Sequence, residues 1–87
     1  MFVVARIPTI ADVEASRGIY QEFLSKMHKR GITLERQELQ CEPVHNGTIL
    51  IVTRTLNSVQ KQAAIEIIHN LRKDHKGKSL TVRITAR

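Results

Sequence analysis

Residues Thr48 to Leu56, Thr-Ile-Leu-Ile-Val-Thr-Arg-Thr-Leu, are β-branched and aliphatic, contain no Gly or Pro, and are about one strand long. A turn pair, Asn46-Gly47, precedes them, and a helix-start pair, Asn57-Ser58, follows. Their apolar side chains fall on both parities. Ile49 and Ile51 point one way, and Leu50, Val52 and Leu56 the other. A strand of this kind belongs in the middle of a sheet with something covering each face. The chain has to be organised around it.

The flanking stretches supply the other elements. Phe2 to Ile7 is a short, almost wholly apolar run that predicts a buried strand ended by Pro8. Thr9 and Asp12 fit a capping-box pattern at the start of a helix over Asp12 to Arg30. On that helix Val13, Tyr20, Phe23, Leu24 and Met27 gather on one side with Ile19 at its edge, and Gly31 suits the position after the last turn. Ile32 to Val44 is the most polar strand candidate. Its apolar residues change parity between Leu34 and Leu39, which predicts an edge strand with a bulge or bend. Ser58 to Lys76 predicts a second helix, with Asn57 or Ser58 as cap and Gly77 as stop. Its buried side is Ala63, Ala64, Ile67, Ile68 and Leu71. Leu80 to Arg87 alternates cleanly, with Leu80, Val82, Ile84 and Ala86 inward.

The order strand, helix, strand, strand, helix, strand predicts an α+β fold. The expectation is a ferredoxin-like split βαβ sandwich (βαββαβ), with a four-stranded antiparallel sheet and two helices on one face. At 87 residues this is a single domain, 1–87, and 41% hydrophobic residues suffice for a two-layer core. The single cysteine, Cys41, rules out an intrachain disulfide framework and points to a reducing, cytoplasmic setting. No apolar run approaches the roughly 20 residues of a membrane span.

A two-layer domain leaves one sheet face open. The parity reading puts Phe2, Val4, Leu50 and Val52 there, with Arg6, Arg54 and Arg83 among them, and this predicts an interface between copies or with another protein. Charge points to a second surface. Fourteen Lys and Arg against eight Asp and Glu give a net charge of +6, which suits a polyanionic partner. Lys61, Arg72, Lys73, Lys76 and Lys78 lie along the second helix and the turn after it. With Arg6, Arg54 and Arg83 they form the candidate nucleic-acid-binding set, acting on phosphates. The alternative partner is an acidic protein surface, met by a small adaptor or inhibitor that is itself a homodimer.

Enzyme chemistry has no footing in the pattern. Acylphosphatases are similar in length, basicity and element order, but they need an arginine in a glycine-rich loop after the first strand and an asparagine on the third. Here the loop is Pro8-Thr9-Ile10-Ala11 and Thr48–Leu56 has no Asn. RNA-recognition-motif domains share the sandwich and stack bases on aromatics of their central strands. Thr48–Leu56 has no aromatic. His28, His45, His69 and His75 lack zinc-ligand spacing, and Cys41 stands alone, so neither a metal nor a cofactor is expected. The expectation is a non-enzymatic binding module.

Overall fold

The structure, a computed structural model, describes residues 7–84. Helix α1 (Ile10–Lys29) leads through a short 3-10 turn (Arg36–Glu38) to β1 (Leu39–Val44) and β2 (Gly47–Val52). Helix α2 (Ser58–Asp74) and β3 (Ser79–Ile84) follow.

Both helices start where the capping residues place them. Thr9 accepts the Asp12 N–H while the Asp12 carboxylate accepts the Thr9 N–H, and Asn57 and Gln60 make the same reciprocal pair at α2. Helix α1 ends in a Schellman motif. Gly31 adopts φ 79° and donates to the His28 carbonyl, and Ile32 donates to that of Met27. That last bond turns the chain so that Ile32 enters the core.

The sheet corrects the expected fold. Among the described residues it is three-stranded and mixed, in the order β1-β2-β3, and not a four-stranded antiparallel sheet. Strand β2 is central, antiparallel to β1 with Leu39 opposite Val52, and parallel to β3 with Leu50 opposite Val82. A ferredoxin-like sheet would hold the first strand between these two. Instead α2 carries the chain back so that β3 pairs directly with β2, as a helical crossover between parallel neighbours permits. The expected first strand, Phe2–Ile7, lies outside the described residues except for Ile7, which is in no regular element and 75% exposed.

Two further expectations shift. The parity change in Ile32–Val44 comes from a bend, the 3-10 turn, and not from a bulge, so only Leu39–Val44 is strand. The two turn residues of the hairpin are His45 and Asn46, with Asn46 at φ 55°, and Gly47 is the first residue of β2. A Cβ on Gly47 would sit 2.6 Å from the Ser79 carbonyl oxygen, so glycine is what lets β2 and β3 approach there.

Both helices cover one face. Leu50, Val52 and Leu80 of the sheet share a single core with Ile19, Phe23 and Met27 of α1 and Ala64, Ile67, Ile68 and Leu71 of α2. Leu50 and Val52 are therefore fully buried under the helices, the reverse of the expected face. Because β2 is apolar on both sides, its own pattern does not choose. The face is chosen by what α1 brings. Its buried stripe is Asp12, Ser16, Ile19, Phe23 and Met27, with Val13 left 39% exposed, about a sixth of a turn away from the expected centre. Ser16 hydrogen-bonds the Thr48 hydroxyl and also donates to the Gly47 carbonyl at 3.3 Å. That pairing draws the even-numbered side of β2 toward α1.

Candidate polyanion-binding surface

Glu22 of α1 lies 3.4 Å from His75 at the end of α2, and Arg30 lies 2.9 Å from Glu66. Rising numbers on one helix thus match falling numbers on the other, so the helices run antiparallel. Between these two contacts the seam opens into a shallow cleft of about 350 Å³ lined by Lys26, Lys29, Arg30, Ile67 and Asn70. Lys73 follows one turn beyond Asn70 on α2, on the same side of the helix. Lys29 and Lys73 are exposed and Lys26 is half-buried along its stem.

The charges here fall into two groups. Arg30 and His75 have carboxylate neighbours across the seam. Among the described residues, Lys26, Lys29, Lys73, Lys76 and Lys78 are in no ion pair. Lys73 and Lys76 are at the end of α2, where cations also favour the helix dipole. Lys26 and Lys29 lie in the last turn of α1 and suit that helix's dipole in the same way.

The sequence-predicted residues separate accordingly. Arg72, Lys73, Lys76 and Lys78 come together at the end of α2 and in the turn after it, with the Arg72 Nε donating to the Leu80 carbonyl at 2.9 Å. Lys61 is on the first half of α2, about 16 Å along the helix from Arg72. Arg54 lies beyond the end of β2, where it donates to the Thr33 carbonyl at 2.8 Å and stands 3.9 Å from Glu38. It ties two loops together. Arg83 is on the face of the sheet away from the helices, and Arg6, Phe2 and Val4 lie outside the described residues. Lys26 and Lys29 line the seam beside Asn70, one turn before Lys73, although sequence reasoning passed over them. Their signal was present in the run Lys26 to Arg30, but only the antiparallel pairing of the helices sets it beside Lys73.

Helix α1 has a second polar centre at its other end. The Asp12 carboxylate accepts the Thr9 and Asn46 N–H groups, and His45 Nδ1 is 4.0 Å away. The Thr9 backbone bond holds this carboxyl below its ordinary pKa against the opposing effect of burial. The Thr9 side chain, Asn46 and His45 add to the lowering. Asp, His and Ser occur together here, but the Ser16 hydroxyl is taken up by Thr48 and Gly47. Among the described residues no base is hydrogen-bonded to it. Cys41 donates to the Ser16 carbonyl at 3.6 Å, and burial pushes its thiol pKa up, away from the reactive thiolate.

Among the described residues no three His, Cys, Asp or Glu side chains gather as a metal site, and no helix is long and apolar enough to cross a membrane. Comparison with family models, with curated proteins and with solved structures finds no match to this chain.

Proposed function

We propose that this domain is a non-enzymatic binding module whose helix layer contacts the phosphates of nucleic acid. The observation that carries the reading is the seam where Lys26 and Lys29 of α1 line one cleft with Asn70 of α2, one turn before Lys73, with Lys76 in the turn that follows; among the described residues none of the four lysines is in an ion pair. A structural role for lysines on adjoining helices would bring carboxylates between them, as it does at Arg30–Glu66. Glu22 lines a hollow with Lys26 and Lys29 but pairs with His75, and lysines on two adjoining helices that are in no ion pair suit a polyanion. Phosphate contacts are favoured over base stacking because the described aromatics, Tyr20 and Phe23, are elsewhere. Phe23 is buried, and Tyr20 lies beside Cys41 and Pro43 against β1. The lone, partly buried Cys41 supports a reducing, cytoplasmic setting.

The test is binding to labelled DNA and RNA duplexes as a function of salt. Each neutralised phosphate lowers the slope of log K against log salt by about 0.9, so contacts from four lysines give a slope of roughly −3.6. Charge reversal at Lys26 and Lys73 together should weaken every duplex sequence by a similar factor. Failure to bind any nucleic acid at low salt ends the proposal and leaves an acidic protein surface as the partner for these lysines.

A further inference from the structure

The face of the sheet away from the helices has a pattern of its own. The register sets Gln40, Ile51 and Arg83 in one row across the strands, and Glu42, Ile49 and Thr81 in the next. Isoleucines run down the centre, with an acid on the β1 flank and a base on the β3 flank. Glu42 and Arg83 are exposed, and among the described residues neither is in an ion pair. Ile49 and Ile51 are half-buried by their neighbours in the sheet, while both helices pack on the opposite side.

We propose that this face docks against a second copy of itself about a two-fold axis parallel to β2. Such an axis lays the central strands of two facing sheets over one another and exchanges their flanks. Ile49 and Ile51 then meet the same residues of the other copy. Strand β1 of each copy lies over β3 of the other, and Glu42 comes to within one side-chain row, about 7 Å along the strand, of Arg83 in the other copy. The long arginine side chain spans that offset. One face therefore offers both halves of an apolar contact and both partners of two identical ion pairs. A face with Glu on both flanks, or Arg on both, would repel its copy. The helix layers point outward in this dimer, so Lys26, Lys29 and Lys73 stay accessible.

Three strands make a strip only about 14 Å wide, which puts the contact at the small, transient end of protein interfaces. Sedimentation velocity of the full chain from about 5 to about 200 µM covers that class. The expected result is a monomer that becomes dimer across this range. Ile51→Lys should remain monomeric throughout, with circular dichroism unchanged because the site is outside the core. Glu42→Arg should weaken the dimer about tenfold, and adding Arg83→Glu to it should restore association, since the pair is then merely reversed. A wild-type chain that stays monomeric to the top of the range overturns the proposal. So does a dimer indifferent to Ile51→Lys, or a double reversal no better than Glu42→Arg alone. No nucleic acid enters the measurement, so its outcome is independent of the reading of the helix layer.

Discussion

Both ends of α1 carry polar and charged side chains, and they use them in opposite ways. At the N-terminal end Asp12 and Ser16 are buried and bonded to the hairpin turn and the start of β2. At the C-terminal end Lys26 and Lys29 sit at an open seam with α2 and are in no ion pair among the described residues. The first arrangement closes on itself and holds the layers together. The second has charge to offer a ligand. Composition does not distinguish them, because the difference is whether each polar group already has a partner inside the fold.

Substitutions can break this contrast from either side. The largest effect belongs to the joint below the N-terminal end. Gly47→Val sets a branched side chain where a Cβ alone meets Ser79 backbone at 2.6 Å, and it should cost about 3 kcal/mol in urea denaturation by forcing β2 and β3 apart. A smaller loss follows Asp12→Asn, which keeps the shape but removes the charge that the Thr9 and Asn46 N–H groups stabilise. Because the folded pKa of Asp12 is depressed, its contribution is present above the unfolded pKa and disappears as the pH falls through the folded value. Wild type should therefore lose its advantage over Asp12→Asn below about pH 4, read from melting temperature against pH.

Ser16→Ala leaves the Thr48 hydroxyl without its buried partner, and a loss of about 1 kcal/mol is expected. The other end should respond least in stability. Lys26→Ala and Lys73→Ala should each change it by less than about 0.5 kcal/mol, while both lower affinity for duplex nucleic acid. Destabilisation by either lysine variant above that level would mean that the seam, like the N-terminal end, is structural.

Some of this contrast was legible in the residues. Thr9 with Asp12, and Asn57 ahead of α2, announce both helix starts, because capping acts within four residues of the chain. Gly31 and Gly77 mark the ends in the same way, and both take positive φ. The buried side of α2 follows from spacing alone, since Ala63, Ala64, Ile67, Ile68 and Leu71 form one stripe. For α1 the same reasoning missed the centre of the stripe. Asp12 and Ser16 look like solvent residues until the hairpin provides the Asn46 N–H and the Thr48 hydroxyl.

Local chemistry in the sequence determined the two helices, their caps, the central hairpin and the positive balance of charge. The helices, caps and hairpin depend on residues close together along the chain, and the charge depends on composition alone. Tertiary structure alone decided the strand order, the face of β2 that is buried, and the lysines that α2 acquires from α1. Parallel pairing of β2 with β3 depends on how α2 crosses the sheet, and no residue pattern in either strand records its neighbour. The face of β2 was undecided for a simpler reason. Isoleucines on one side and Leu50 with Val52 on the other offer comparable apolar area, so a single choice of face, to which Ser16 on Thr48 contributes, turned one set into core and the other into surface.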